Sequence, residues 1–157
     1  MKLSTRARYA LRLMLDVAKN GKQGAPVSLA LVAERTALSR GYLEQLAMAL
    51  KNARLLRGVC GKQGGYLLAR PPQQITLREI IEAVIGPLHI LDCLEDETTC
   101  MRAEGCECRL VYALINRRIV EVLEEFTLAD MVDPHWNAAM TQMLAGMGDR
   151  GRPQPLS

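Results

Sequence analysis

Residues 39–70 constrain the fold most, because a helical pattern there leads directly into a hairpin pattern. Apolar residues recur at the i, i+3, i+4 and i+7 positions of one helix face: Leu43, Leu46, Ala47 and Leu50. Two apolar runs, over 55–60 and 66–69, then flank the glycine-rich turn GKQGG. The segment is therefore predicted to form a helix followed by a two-stranded β-hairpin.

A shorter helical run precedes this segment. Ser28 is a suitable N-cap for it, and Leu29, Val32 and Ala33 lie on one face. Ser39 is the corresponding cap of the following helix. Two short helices joined by a tight break and followed by a hairpin predict a winged helix-turn-helix, in which the second helix reads the major groove of DNA. The expected fold class is mainly α with a small β-hairpin wing.

The charge of the chain is divided between its two halves. Residues 1–70 contain 13 Lys and Arg against 3 Asp and Glu, whereas residues 71–157 contain 7 against 14. A basic surface of this size attracts a polyanion by releasing its counterions, which favours double-stranded DNA over a protein partner. The second helix and the wing supply the predicted DNA-binding side chains: Ser39, Arg40, Tyr42, Gln45, Lys51, Arg57 and Lys62.

Further helical patterns surround this unit. Apolar spacing predicts one helix over 5–20 and another that begins at the capping box of Thr76 and Glu79. A long apolar stripe runs over 110–126, and a helix of about 18 residues is roughly 27 Å long. Such a helix is expected to pair two subunits of a homodimer, with burial against its own chain as the alternative. A last helix over 136–147 carries a methionine stripe, which is expected to pack in the core.

The predicted organisation has four parts. They are a winged helix-turn-helix over 1–86, a cysteine-rich cofactor loop over 87–109, a dimerisation helix with a C-terminal helical segment over 110–148, and a disordered tail over 149–157. No apolar run approaches the ~20 residues that span a bilayer. We therefore expect a cytoplasmic location and no membrane association. The sequence also has no substrate-pocket motif, flavin fingerprint or second redox centre, so the chain is not expected to be an enzyme.

Four of the five cysteines lie in one polar segment, with the spacing C-x6-C-x5-C-x-C. They are Cys93, Cys100, Cys106 and Cys108. Thiolates are the preferred ligands of iron–sulfur clusters and also bind zinc. An iron–sulfur cluster is therefore the predicted cofactor. Zinc is the lesser alternative, because zinc sites typically show paired C-x2-4-C spacings, which these four cysteines do not have. A disulfide switch between two of the four thiols is a further alternative.

Four features together resemble the IscR/NsrR family of winged-helix transcriptional regulators. They are LSTRARYALRLMLDVA at the start, GYLEQL in the second helix, GKQGGYLLAR in the wing, and the cysteine run before the long helix. The resemblance covers the chain to about Pro134. It implies a homodimer that binds a DNA operator and, in members with these cysteines, control by a 2Fe-2S cluster, favoured here over 4Fe-4S. Members controlled by a docked metabolic enzyme provide an alternative.

The resemblance also shows where this chain departs from the family. Some members complete a 2Fe-2S site with a His three residues after the third cysteine, where this chain has Arg109, which cannot coordinate iron. Others use a carboxylate near the partner's N-terminus, and the matching residue is Arg8. Cys108 is the predicted fourth ligand, with Glu107, Glu104 or a group of the partner subunit such as His89 as fallbacks. Cys60 replaces an Arg that relatives commonly place in the wing.

Overall fold

The computed structural model describes residues 4–21, 24–100 and 105–148. The elements follow in this order: α1 Thr5–Asn20, α2 Leu29–Thr36, α3 Arg40–Asn52, β1 Leu56–Val59, β2 Gly65–Leu68, α4 Leu77–Ile85, α5 Asp92–Glu95, α6 Glu107–Glu125, α7 Leu128–Val132 and α8 Trp136–Gly148. The described part of the chain is thus mainly helical with a two-stranded antiparallel hairpin, which confirms the predicted fold class.

Side-chain caps set the start of the helices, as the sequence predicts. Ser28 Oγ accepts a hydrogen bond from the backbone N–H of Leu31 at 3.3 Å, and Ser39 Oγ accepts one from Tyr42 at 3.3 Å. Between α2 and α3 the chain turns at Ala37, whose φ of 56° lies in the left-handed region. The two helices are therefore joined by a tight turn of three residues, 37–39.

The wing is attached to the start of α2. Strand β1 pairs with β2 from Leu56 opposite Leu68 to Val59 opposite Gly65. Next to this pair, Val27 and Tyr66 exchange two backbone hydrogen bonds of 2.9 Å. Gly65 is required at this crossing, because a Cβ there would collide with the backbone of Val27. The wing is therefore fixed relative to α2.

The hydrophobic core lies in the N-terminal part of the molecule. α1 packs against α3 and α4, and fully buried residues such as Leu13, Leu46 and Ile80 come from these three helices. α7 joins this core through Leu128, whose backbone N–H donates to Ile75 at 2.8 Å. A backbone bridge between Thr76 and Thr127 closes the same junction, so the C-terminal end of α6 meets the start of α4.

The long helix α6 has no buried residue. Its C-terminal end contacts the core through the half-buried Leu123 and Phe126. Its exposed apolar residues are Leu110, Val111, Tyr112, Leu114, Ile115 and Val122. The predicted stripe is therefore present and faces solvent over most of its length. Burial within its own chain, the alternative drawn from the sequence, does not cover it.

The C-terminal helix α8 contacts α7, and Trp136 packs edge-on against Phe126 with ring centroids 5.2 Å apart. The expectation that its methionine stripe packs in the core is wrong, because Met143 and Met147 are 45% and 50% exposed. The predicted disordered tail lies outside the described residues. None of the described helices has the length and apolar character needed to cross a bilayer.

Candidate DNA interface and cysteine loop

An open groove of about 710 Å³ separates the exposed face of α3 from the wing. Arg40, Met48 and Lys51 border it on the α3 side, and Cys60 and Gly61 border it on the wing side. The start of α2 closes one end of the groove. Backbone hydrogen bonds between Val27 and Tyr66 set the position of the wing relative to α2.

Six of the seven predicted DNA-binding residues are exposed: Ser39, Arg40, Gln45, Lys51, Arg57 and Lys62. Arg40 pairs with Glu44 one turn later, with Nε and Oε1 3.0 Å apart. Ser39 uses its hydroxyl oxygen to cap α3, so its main role is to fix the start of that helix. The exposed set lies on α3 and the hairpin, as the sequence predicts.

Tyr42 differs from the other predicted DNA-binding residues because it is half-buried. Its ring packs edge-on against Tyr9 of α1, with the centroids 6.0 Å apart. The guanidinium groups of Arg8 and Arg12 lie 4.9 and 5.5 Å from the centroid of the Tyr9 ring. Sequence reasoning on α3 alone misses this contact, although the basic residues of α1 were a visible signal.

The four clustered cysteines occupy different local structures. Cys93 lies in α5 and is half-buried, and Cys100 follows a short 3-10 turn and is exposed. Cys106 is the half-buried N-cap residue of α6, and Cys108 is exposed in the first turn of that helix. The expectation that the whole cysteine run lies before the long helix is wrong for Cys108, because α6 begins at Glu107.

The cysteine thiols are free, and they are not gathered into a ready-made metal site. Within the described ranges, no three Cys, His, Asp or Glu residues are arranged to hold a metal ion. The fallback ligands His89 and Glu107 are exposed, and Glu104 lies outside the described residues. The donor types suit a thiolate-bound group, because four cysteines fall within one loop. The set of four ligands remains a prediction.

The loop is tied to α6 at two places. Asn116 accepts a hydrogen bond from the Ile90 N–H at 3.0 Å through Oδ1 and donates to the Leu88 carbonyl at 3.1 Å through Nδ2. Arg109 donates from Nε to the carbonyl oxygen of Cys93 at 3.0 Å. The residue at the position of the family's histidine ligand therefore holds the backbone of the first cysteine. These contacts are not visible in the sequence pattern.

Asp96 organises the loop between Cys93 and Cys100. Its carboxylate accepts hydrogen bonds from the hydroxyl and the backbone N–H of Thr98, at 2.7 and 2.9 Å. These bonds, the hydroxyl contact first, hold the pKa of Asp96 below its usual range. The acidic residue thus serves the local turn and stays ionised at neutral pH.

Comparison with known proteins gives consistent matches. The Rrf2 family model, described as an iron-dependent transcriptional regulator, matches residues 3–134. The chain is 38% identical to the HTH-type transcriptional regulator CymR of Bacillus subtilis over 131 residues, which covers 83% of this chain and 89% of CymR. It is also 38% identical to the HTH-type transcriptional regulator IscR of Sodalis glossinidius over 138 residues, which covers 84% and 79% of the two chains.

Two solved structures share the fold. The structure of CymR, titled the global cysteine regulator of B. subtilis, matches with a TM-score of 0.71 and 36% identity, covering 84% of this chain and 96% of that one. The structure of T. potens IscR matches with a TM-score of 0.68 and 33% identity, covering 98% and 94%. The range matched by the family model, 3–134, runs from the start of the chain past the end of α7.

Proposed function

Because the chain belongs to the Rrf2 family of transcriptional regulators, we propose that it is a dimeric operator-binding protein whose DNA affinity is controlled by an iron–sulfur cluster. The relatives are HTH-type transcriptional regulators, and DNA binding follows from that membership. The cluster, the dimer and the residues assigned to each are the finer parts of the proposal. The proposed signal that changes the cluster is redox state, iron or nitric oxide.

The observation that carries the proposal is the exposed face of α3 beside a fixed wing. The major groove of B-DNA, about 12 Å wide, admits one α-helix, and residues near the start of a recognition helix reach the base edges. Gln45 and Arg40 lie on this face, whereas Lys62 at the wing tip is suited to a phosphate contact. The half-buried Tyr42 is better suited to orienting α3 than to reading bases.

The cluster would be held by Cys93, Cys100, Cys106 and Cys108, with a 2Fe-2S form favoured over 4Fe-4S. When bound, it supplies a group whose presence or oxidation state changes with redox conditions, iron supply or nitric oxide. The protein orients the ligands: Arg109 holds the backbone at Cys93, and the start of α6 presents Cys106 and Cys108. A nearby guanidinium also offsets the negative charge of four thiolates.

Coupling to DNA follows from the attachment of the loop to α6. Asn116 and Arg109 join the loop to the helix whose exposed apolar stripe is the proposed dimer contact. A loop conformation that changes the position of α6 also changes the spacing of the two recognition helices in the dimer. A coupling free energy of ~1–3 kcal/mol between the sites gives a ~5–150-fold change in operator affinity.

The ligand assignment is tested by replacing each loop cysteine with Ser. Iron, sulfide and visible absorption are measured on anaerobically purified protein, with Cys60→Ser as the control because Cys60 lies in the wing. We expect loss of the cluster in all four loop variants and retention in the control. If Cys108→Ser retains the cluster and the other three variants lose it, the fourth ligand is Glu107, Glu104 or His89 and not Cys108. Wild-type protein with zinc and no iron contradicts the cluster proposal.

A thiol switch without metal is the second candidate, and a specific observation favours it. The described loop holds free cysteines, two of them exposed, and no assembled group of three metal ligands. Mild oxidation followed by alkylation and peptide mass spectrometry identifies any disulfide between loop cysteines. A disulfide that changes DNA affinity in metal-free protein supports this candidate, whereas DNA affinity that follows iron content alone excludes it.

A further inference from the structure

We infer that the N-terminal end of α1 is a second phosphate-binding element of the DNA interface, formed by Arg6, Arg8 and Arg12. This inference rests on the proposed DNA binding and extends it to a helix outside the helix-turn-helix and the wing. The element would contact the sugar-phosphate backbone beside the bases that α3 reads. Three observations support it: the position of Arg6, the packing of Arg8 and Arg12, and the lack of recorded carboxylate partners for these three arginines.

Arg6 lies beside the exposed face of the recognition helix. It borders an open groove of about 550 Å³ together with Gly41, Glu44, Gln45 and Met48 of α3, and Glu44 pairs there with Arg40. Gln45 is one of the exposed side chains assigned to base contacts, so Arg6 and Gln45 face the same space. A DNA duplex whose bases contact Gln45 therefore brings its backbone close to Arg6.

Arg8 and Arg12 are held in place by an aromatic pair. Both guanidiniums lie within 5.5 Å of the Tyr9 ring centroid, and Tyr9 packs edge-on against Tyr42 in the first turn of α3. Arg8 also donates a hydrogen bond from Nη2 to the Tyr9 hydroxyl at 3.3 Å. Cation–π contacts orient a guanidinium without neutralising it. The two charges are therefore positioned near the start of the recognition helix and remain available to a phosphate.

The ion pairs of the described residues separate two groups of arginines. Six arginines have a carboxylate partner within 4.0 Å: Arg35, Arg40, Arg70, Arg78, Arg117 and Arg118. Arg6, Arg8 and Arg12 have none among the described residues, and the first turn of α1 contains no acidic residue. Exposed arginines without a counter-charge, such as Arg8 and Arg12, are typical of a surface that binds an anion.

The test measures how DNA affinity depends on salt. Fluorescence anisotropy with a labelled random-sequence DNA duplex over a series of KCl concentrations gives the slope of log affinity against log salt. Each lost phosphate contact lowers the size of that slope by about 0.9. Because a dimer loses the contact in both subunits, we expect Arg8→Gln to lower it by about 1.8 and Arg6→Gln/Arg8→Gln by about 3.6, whereas Arg6→Lys/Arg8→Lys restores most of it.

Two controls make the result decisive. Arg118→Gln removes the same charge from α6, where Arg118 is 75% exposed, and is expected to leave the slope unchanged. Lys62→Ala tests the wing independently. Unchanged slopes in both α1 variants, together with a reduced slope in Lys62→Ala, overturn the inference and leave DNA binding intact. Wild-type protein that fails to bind the duplex at low salt overturns the proposed function itself.

A loss of stability in one of the variants can be distinguished from the loss of a phosphate contact. Arg8 is exposed, so Arg8→Gln decides the question even if the half-buried Arg6 proves necessary for stability. Near-ultraviolet circular dichroism of the tyrosines reports whether the Tyr9–Tyr42 pair is preserved. A lower slope with an unchanged tyrosine spectrum supports a direct phosphate contact, and a lower slope that appears only with a changed spectrum contradicts it.

Discussion

The N-terminal winged helix and the C-terminal helices differ sharply in how they bury apolar side chains. Of the 21 fully buried apolar residues in the described chain, 20 lie between Ala7 and Val84, and Leu128 is the exception. α6 and α8 expose apolar residues as large as those of the core, among them Leu110 at 71% and Leu144 at 62%. The first region buries its apolar side chains within itself, whereas the second leaves apolar side chains exposed, which the proposed dimer contact would cover.

The strongest test of this difference is a charge placed in the exposed stripe of α6. Ile115→Asp would bury an unpaired carboxylate in the proposed dimer contact, costing ~3–5 kcal/mol and weakening dimerisation more than ~100-fold. Sedimentation measures the oligomeric state. Arg117→Asp is the control, because this side chain on the same helix is 79% exposed. An Ile115→Asp protein that sediments like the parent locates the interface elsewhere.

A second test compares one truncation in each region. Leu46→Ala in the core is expected to lower the free energy of unfolding by ~2–5 kcal/mol, because it leaves a cavity at a fully buried site. Leu144→Ala in α8 is expected to change it by less than ~0.5 kcal/mol, since the side chain is largely exposed. Urea denaturation at low protein concentration measures both. A comparable loss in the two variants shows that α8 is buried in solution.

The contact between α6 and the cysteine loop can be weakened separately. Asn116→Ala removes both hydrogen bonds to the backbone at Leu88 and Ile90, at a local cost of ~1–2 kcal/mol. Amide exchange of Ile90 is then expected to accelerate by ~5–30-fold, as measured by NMR or mass spectrometry. The neighbouring Arg117→Ala serves as the control. Equal exchange in the two variants contradicts a role for Asn116 in holding the loop.

The smallest expected effect concerns pH in the N-terminal region. Burial raises the pKa of Glu79, but hydrogen bonds from Arg70 at 2.7 Å and from the Thr76 backbone at 3.0 Å outweigh it and leave the pKa below the usual value. The carboxylate therefore contributes stability above its unfolded pKa, and this contribution is lost as the pH falls through the lower folded pKa.

Because the Glu79 side chain is 40% exposed and solvent screens its ion pair, the stability at stake is under ~1 kcal/mol. Urea midpoints between about pH 6 and pH 3 measure this contribution, since Glu has an ordinary pKa near 4.3. Glu79→Gln should show a shallower fall in stability than the parent over that range. Parallel curves for the two proteins contradict the assignment.

Local sequence signals predicted the first region well. Ser28, Ser39 and Thr76 mark helix starts by bonds within three residues along the chain, and the stripe of Leu43 and Leu46 follows helical spacing. Such signals are complete within one turn of helix, so no tertiary information is needed to read them. The observed α1, over Thr5–Asn20, has the bounds that its apolar spacing predicts.

The second region was harder to predict because its determinants are distant in sequence or lie outside the protomer. Arg109 meets Cys93 across 16 residues and Asn116 meets Leu88 across 28, and neither pairing leaves a periodic trace. The start of α6 was placed too late because its N-cap residue, Cys106, makes no side-chain cap. The methionines of α8 were assigned to the core on composition, which does not say whose surface they cover.

The junction of Thr76 with Thr127 gives α6 the geometry of a lever. At 1.5 Å per residue its 19 residues are about 28 Å long, and the bridge fixes the end opposite Cys106. A displacement of about 2 Å at the cysteine end therefore turns the helix axis by about 4° about that pivot. The pivot adjoins Ile75 and Leu77 at the base of α4. A rotation of α6 would therefore act on α4, which packs directly against the proposed recognition helix α3.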